Sequence, residues 1–413
     1  MVGNSPGRRV PGRAPIWQSP SWPKFSFDHT RLVESLGRAR ETAGRLRGKA
    51  EAIGADELIS VERDVWAGSA VATAAIEGER LNLEAVRSSV TGRLGIDTTG
   101  DAPVPRKVDA LLDVMDDAVA HWRDALTEER LIEWQSLLCE ESRTGLLKVE
   151  TGRFRSDPVA VVSGPECHKT VHYEGPPADS VRSEMRVFLD WFNEPTDSAA
   201  LDGLLRAGLS HLWFETIHPF ADGNGRVGRA ILDMAISQDA KSASRLHGLS
   251  IQILTAKTEY YAALNGAQRG AGDVTEWLAW FTNTFAESCE TSLRLIDEAL
   301  VRTRFWSANK DIALNPRQRK ALIRMLAAGA GKFDGGMTPR KYMALTKANN
   351  RLTANRDLSD LVEKQLLVRG GAGRSTYYNL ALPGWGWVPR GSRTTSHSAQ
   401  LPTSRQLRVS LDD

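Results

Sequence analysis

The stretch His218-Pro219-Phe220-Ala221-Asp222-Gly223-Asn224-Gly225-Arg226-Val227-Gly228-Arg229 governs how the rest of this sequence is read. Two glycines flank Asn224 directly before Val227, Ala230, Ile231, Met234 and Ala235, which recur at the spacing of an amphipathic helix. Such a loop can curl tightly and aim its backbone N–H groups at one point. That point also sees the positive end of the helix dipole, which makes it a cradle suited to phosphates. Arg226 and Arg229 are three apart and share a face of the first helical turns. Each guanidinium can add charge-assisted hydrogen bonds to phosphate oxygens. Asp222 is a hard oxygen ligand placed to hold Mg²⁺ against those phosphates. His218 ends the preceding helix and can take a proton near neutral pH. A base, a metal ligand and a phosphate cradle so close together point to phosphoryl or nucleotidyl transfer.

Taken alone, Asp222-Gly223-Asn224-Gly225 is equally the composition of a tight turn. Half an EF-hand loop fits poorly, because Arg226 and Val227 occupy positions that want Asp or Asn and Gly. The full string, however, matches H-P-F-x-[D/E]-G-N-G-R-x-x-R at every defined position, and so resembles the Fic family signature. Neighbouring segments are similar to the same family. Ser210-His211-Leu212-Trp213-Phe214-Glu215-Thr216-Ile217 looks like the helix leading into the motif, and Phe188-Leu189-Asp190-Trp191 like the helix before it. Tyr260-Tyr261 and Asp273-Val274-Thr275-Glu276-Trp277-Leu278 look like the segments that close the site. Thr73-Ala74-Ala75-Ile76-Glu77-Gly78 resembles the family's inhibitory motif, [S/T]-x-x-x-E-[G/N], although a Glu-Gly at a helix end is also an ordinary stop.

The resemblance implies a protein adenylyltransferase. His218 would deprotonate a Tyr, Thr or Ser hydroxyl, whose oxygen attacks the α-phosphate of ATP while pyrophosphate leaves. Asp222 would hold Mg²⁺. The amides of Gly223, Asn224 and Gly225 would cradle the phosphates, with Arg226 on the α/β region and Arg229 on the γ-phosphate. Thr73, Glu77 and Gly78 would form the brake, Glu77 pairing with Arg229. The same glutamate could position water for removal of AMP, which leaves a de-AMPylase or a bifunctional enzyme as an alternative. Two readings stand for Tyr260 and Tyr261: a stacking face for adenine, or core residues of a helix. His211 and His247 read as structural, and His168 and His172 as lining the entrance.

Outside the motif, a mainly α chain is expected. Residues 1–16 are rich in Gly, Pro and Arg and read as a disordered arm. An N-terminal helical domain over 17–97, similar to DUF4172, has helices predicted at 28–53 and 56–78. Residues 98–105 read as a linker. The Fic core, 98–300, carries a long helical region from 106 to 141 and helices at 179–192, 201–217, 227–237, 255–267 and 274–300. Within it, 152–173 breaks the pattern as a β-hairpin with a turn at Gly164-Pro165. This hairpin resembles the flap over the Fic site. It is either a plain structural hairpin or a docking edge at Val159, Ala160, Val161 and Val162 that pairs with an extended target segment.

Residues 301–383 read as a winged helix, with helices at 316–330, 339–346 and 353–365 and strands at 366–369 and 376–380; 384–413 reads as a flexible tail. A Thr353 cap opens the third helix, with Lys347, Arg351 and Arg356 nearby and Asp357, Asp360 and Glu363 diluting the charge. DNA is therefore a possible partner, and an ATP-sensing DNA-binding regulator is the alternative from another class. Other implied partners are the target protein, the chain itself and a second copy in a homodimer.

The 413 residues are 41% hydrophobic with a net charge of +2, too balanced for a nucleic-acid protein as a whole. Cys139, Cys167 and Cys289 are too scattered for a local metal pair and read as reduced. No run of about 18 apolar residues suggests a membrane span, and none follows Arg8, Arg9 and Arg13 to suggest a secretory signal. A cytoplasmic protein is the expectation. No Walker A motif competes, since Gly48-Lys49 and Gly331-Lys332 lack the following Ser/Thr and the upstream glycine spacing.

Overall fold

The structure, a computed structural model, describes residues 8–9, 14–95, 105–140, 150–163, 170–195, 201–243 and 245–387. In chain order the elements are β1 (Arg8–Arg9), α1 (His29–Ala52), α2 (Ala55–Ile76), α3 (Leu83–Arg93), α4 (Arg106–Ala120), α5 (Glu128–Leu138), β2 (Ala160–Ser163), β3 (Thr170–Glu174), α6 (Ala178–Phe192), α7 (Gly203–Ile217) and α8 (Asn224–Ala240). They continue with α9 (Leu249–Thr255), α10 (Lys257–Gln268), α11 (Thr275–Ala308), α12 (Pro316–Ala327), α13 (Pro339–Thr346), α14 (Arg351–Glu363), β4 (Leu367–Gly370) and β5 (Tyr377–Leu380). The chain is mainly α. No helix among the described residues is long and apolar enough to cross a membrane. The chain divides into two units, 1–300 and 301–413.

In the first unit α7 is the central element. It is apolar on nearly every side, and every residue from Leu204 to Ile217 is buried. It packs against α8, whose stripe Val227, Ala230, Ile231, Met234 and Ala235 is buried as its spacing predicts. Asp202 caps α7 through the N–H groups of Leu204 and Leu205. It also accepts from Arg40 of α1 (Nη2 to Oδ1, 2.6 Å), and the same guanidinium reaches Asp239 of α8 (Nη2 to Oδ1, 2.9 Å). One arginine thus fixes α1 to the start of α7 and the end of α8. Helix α2 lies against α9 and α3, and so reaches the site end of α8.

Several boundaries differ from expectation for identifiable reasons. The helical region expected from 106 to 141 is two helices, because the Thr127 side chain accepts from Arg130 N–H and starts α5 afresh, with Glu128 and Glu129 in its first turn. Helices α3, capped by Asn82, and α9 were not predicted. Helix α8 begins at Asn224 rather than 227. Gly223, at φ +89°, is its N-cap, so the glycine-rich loop is already the first helical turn. The arm 1–16 is not wholly unstructured: β1 pairs in parallel with Thr170–Val171 of β3. Helix α14 is capped by Asn350, which accepts from Thr353 N–H at 2.8 Å, not by Thr353. The linker over 98–104, the turn at Gly164-Pro165, Cys167, His168 and the tail from 388 lie outside the described residues. The tail's first part does not fray. Trp385 is buried, and Asn379 exchanges two hydrogen bonds with the backbone of Trp387.

The second unit is three helices, α12 to α14, followed by the antiparallel pair β4–β5. Asp357, read from sequence as a surface charge, instead faces inward. It accepts from Arg317 Nε (2.8 Å), Asn315 Nδ2 (3.2 Å) and the Tyr342 hydroxyl (3.0 Å). Three donors converge on one buried carboxylate, so removing it strands them. Asp357→Ala should destabilise this unit by about 2 kcal/mol, discounted because Arg317 is partly exposed. Hydrogen exchange on the full chain should show the amides of α12 and α14 losing protection while α7 and α8 keep theirs. Unchanged protection in α14 would mean that the carboxylate holds nothing together.

Candidate active site

The site begins where α7 ends. His218 is followed by Pro219, which disfavours the right-handed helical region for the residue before it. His218 accordingly turns into the left-handed region at φ +51°, while its N–H still donates to Phe214 C=O at 2.9 Å. A non-glycine residue held there is mildly strained, and the surrounding bonds over-determine it. Arg155, itself buried, donates from Nε to His218 C=O (2.8 Å), from Nη1 to Asp157 C=O (2.9 Å) and from Nη2 to Pro176 C=O (2.6 Å), and its own N–H donates to Pro219 C=O (2.9 Å). This one side chain joins the base of the hairpin to the backbone of His218.

The His218 imidazole is largely buried, and burial pushes its pKa down to about 4. Its Nδ1 has no hydrogen-bond partner and lies 3.7 Å from Glu215 Oε2, one turn back on α7. Burial pushes Glu215 up to about 8, and its Oε1 is also without a partner. Imidazole and carboxyl are therefore neighbours, each disfavoured as a lone charge.

The loop is pinned from both sides. Asn224 is buried, and its amide bridges Phe220: Phe220 N–H donates to Oδ1 (2.9 Å) and Nδ2 donates to Phe220 C=O (2.7 Å). Gln135 of α5 donates to Asp222 C=O (3.2 Å) and accepts from Gly152 N–H (3.1 Å). A methyl at Gly223 would come within 3.1 Å of Cys139 Sγ, on a backbone that disfavours any side chain. The Gly223 N–H, expected in the phosphate cradle, donates to Asp222 Oδ1 at 2.7 Å. The amides without an intrahelical acceptor are those of Asn224, Gly225 and Arg226 in the first turn of α8. The Asp222 carboxylate is 46% exposed, and no cluster of three or more His, Cys, Asp or Glu surrounds it among the described residues. A lone exposed carboxylate beside open amides fits Mg²⁺, which takes one or two protein oxygens and completes its shell with phosphates and water.

Both arginines of the motif are occupied by the end of α2. Arg229, 3% exposed, donates from Nη2 to Glu77 Oε1 at 2.8 Å and to Thr73 C=O at 3.1 Å. Burial raises the Glu77 carboxyl and the Arg229 guanidinium lowers it, with the arginine prevailing. Gly225 permits this approach, since a methyl there would collide with the Glu77 carboxylate. The Thr73 hydroxyl is bonded to Ser250 Oγ (3.0 Å) and Lys257 Nζ caps Ile76 C=O (2.6 Å), so α2 is held on both sides of the motif. Gly78, at φ +85°, ends the helix in a Schellman turn: its N–H donates to Ala75 C=O and that of Glu79 to Ala74 C=O. Glu79 then reaches Arg226 Nη1 at 2.9 Å.

The hairpin stands over this end of α7. The Tyr173 hydroxyl of β3 donates to Thr216 C=O at 2.7 Å. The sheet order is β1-β3-β2, so β2 is an outer strand and Ala160, Val161 and Val162 lie on its edge with Val159 just before it. Tyr260 and Tyr261 separate. Tyr260 is 2% exposed and its hydroxyl bonds to His211 Nε2 (2.9 Å), whose Nδ1 bonds to Gly228 C=O (3.0 Å). It offers no open face and belongs to the core. Tyr261 is only partly buried.

Four residues of the site escaped the sequence reading. Gln135 is a polar residue on the buried stripe of α5, and that mismatch was a usable signal. Glu215 precedes His218 by three, on the same helical face. Glu79 follows a helix-ending glycine at the position that a Schellman turn folds back. For Arg155 no local signal distinguishes it from Arg153.

Comparison with known proteins places this geometry. The model of the Fic/DOC family matches residues 125–236, and that of a domain of unknown function, DUF4172, matches 16–96. A probable protein adenylyltransferase of Aquifex aeolicus is 30% identical over 164 residues, which is 37% of this chain and 47% of that protein. The protein adenylyltransferase fic-1 of Caenorhabditis elegans is 29% identical over 124 residues, 30% of this chain and 21% of that one. The matches thus span less than half the length of either relative. A Fic family protein from Desulfovibrio desulfuricans G20 has a similar fold, with a TM-score of 0.50 at 24% identity over 87% of this chain and 98% of that one. The hairpin and the loop between α7 and α8 lie within a Fic/DOC domain, residues 125–236, and a DUF4172 domain, residues 16–96, stands ahead of it.

Proposed function

We propose that this chain is a protein adenylyltransferase that transfers AMP from ATP to a Tyr, Thr or Ser hydroxyl of another protein or of itself, and that Glu77 holds it off. The observation that carries the reading is the 2.8 Å ion pair between Glu77 and Arg229 at the mouth of a helix-terminal anion cradle. An arginine this deeply buried beside open amides suits a phosphate, and here a carboxylate of the chain's own stands in for one.

In this reaction His218 Nε2 takes the proton of the target hydroxyl, the freed oxygen bonds to the α-phosphorus of ATP, and the bond to pyrophosphate breaks. The first-turn amides of α8, Arg226 and Arg229 hold the phosphate oxygens in line, which supplies electrostatic stabilisation and positioning together. Asp222 would hold Mg²⁺, which when bound neutralises phosphate charge. The Glu215 carboxylate takes the Nδ1–H, orienting the ring and stabilising the imidazolium. Arg155 fixes the backbone beneath it. The edge of β2 presents main-chain groups to an extended target segment, which asks little of the target's sequence.

A second reading has one observation in its favour. With Asp357 turned inward, Lys347, Arg351, Asn355 and Arg356 are exposed at the start of α14, a face suited to phosphate and base edges in DNA. A salt-dependent shift of duplex DNA, absent after Arg351 and Arg356 are replaced by Ala, would support it.

The transferase reading yields a strongly non-additive pattern. Glu77→Gly frees Arg229 and should raise transfer of label from α-labelled ATP, including onto the protein itself, by at least about tenfold. Arg229→Ala also breaks the pair but removes the phosphate contact, so it should stay inactive, and the double variant should behave like Arg229→Ala. A double variant as active as Glu77→Gly would show that Arg229 does not serve the phosphate.

The carboxyl next to the base makes a pH prediction. Ionised Glu215 stabilises the imidazolium far better than the neutral acid does, so transfer by Glu77→Gly should increase with pH through the Glu215 ionisation near 8. Adding Glu215→Gln should slow transfer roughly tenfold, leave ATP affinity alone and flatten that rise. A pH profile identical in the two proteins would disconnect Glu215 from the base.

A further inference from the structure

The turn that ends α2 delivers two carboxylates to the site, and the pairing of Glu77 with Arg229 accounts for one. Glu79 Oε1 lies 2.9 Å from Arg226 Nη1, and that arginine is only 10% exposed. The other acceptors near Arg226 are weaker partners: Leu138 C=O at 3.2 Å is neutral, and Asp222 Oδ2 at 3.8 Å is beyond hydrogen-bond length. Glu79 is therefore its hydrogen-bonded counter-charge in this structure.

We propose that Glu79 is a second latch on the nucleotide site, one that sets affinity for the polyphosphate of ATP, where Glu77 sets its pose. The proposal rests on the reading of the loop as a nucleotide site. Its physical basis is competition for one cation. Phosphate oxygens can take Arg226 only after the carboxylate leaves, and an approaching polyphosphate meets like charge until it does. The latch is local. The Glu79 N–H is fixed on Ala74 C=O at 2.9 Å, so the backbone stays while the side chain swings. Its carboxylate is 39% exposed, so water can solvate it on release. The two latches have the same origin. Gly78 separates the two glutamates and, in its left-handed turn, sends them to arginines one helical step apart on α8. Substituting Glu77 alone therefore leaves the site half closed.

Isothermal titration of ATP–Mg²⁺ into the full chain tests this. Glu79→Gln keeps the shape and removes the charge, and should tighten ATP binding on the order of tenfold. The gain should vanish in an Arg226→Ala background, because the two residues act as one unit. In AMP transfer, Glu77→Gly/Glu79→Gln should show a lower KM for ATP than Glu77→Gly with a similar kcat. Tighter ATP binding with no AMP transfer from any variant would retain the latch and sink the transferase reading. Active transfer by Glu77→Gly, with Kd and KM both indifferent to Glu79→Gln, would retain the transferase and overturn the latch, as would a Glu79→Gln gain that survives Arg226→Ala.

Discussion

A buried guanidinium must have an anion, and that constraint organises this protein. Arg229 sits in the first turns of α8 with almost no access to water. Desolvation of an uncompensated charge there would cost several kcal/mol. The chain meets the requirement with Glu77, a residue 152 positions away in sequence at the end of α2. Gly225 makes room for the carboxylate, Thr73 adds a carbonyl, and Lys257 and Ser250 hold the helix that carries them. The packing of the N-terminal helices is thus joined to the chemistry of the Fic loop through one charge pair. Replacing Glu77 removes the counter-charge of Arg229 and so disturbs the packing of α2 against α8.

The same economy applies at His218. Pro219 forces the chain out of the helix, the left-handed turn brings the imidazole to the end of α7, and Arg155 and Tyr173 tie the hairpin to that turn by backbone acceptors. The positions of His218 and of the hairpin are consequently not independent. Any movement of the hairpin base acts on the carbonyl of His218, and under the proposed function such small displacements have large effects on rate.

The sequence was informative where chemistry and folding demand the same residues. The glycine-capped start of α8, His218 at the end of α7 and the two arginines in the first turns of α8 were legible from one stretch because such a helix start needs glycines. Helices with a clear apolar stripe, such as α6 and α8, were legible for the same reason. What was not legible depended on partners distant in sequence. Nothing near Asp357 says that Arg317, Asn315 and Tyr342 converge on it, so it read as a surface charge. Tyr260 read equally as a stacking face or a core residue until His211 was seen to take its hydroxyl. Arg155 looks like any arginine before a hairpin, and the carbonyls it donates to belong to backbone that sequence cannot place. Helix α9, of seven residues, is too short to show a period.

The way the site opens follows from which contacts are strong. Helix α2 is anchored by a buried stripe, including Val65, Trp66, Ala70 and Ala74, by the Thr73–Ser250 bond and by a cation on its last carbonyls. Moving the whole helix would expose that stripe, at a cost of roughly 25 cal/mol for each Å² of apolar surface. Moving the Glu77 side chain costs only the pair with Arg229, and a phosphate oxygen can replace that pair at the same guanidinium. Under the proposed function, release of inhibition by exchange of anions is therefore cheaper than release by displacement of the domain. On that proposal, an activating signal need only shift the competition between a tethered carboxylate and a diffusing triphosphate, for instance by loosening the last turn of α2, where the Schellman hydrogen bonds and the Lys257 cap hold Glu77 in place. The N-terminal helices would then act less as a lid than as a tether that fixes the local concentration of one carboxylate.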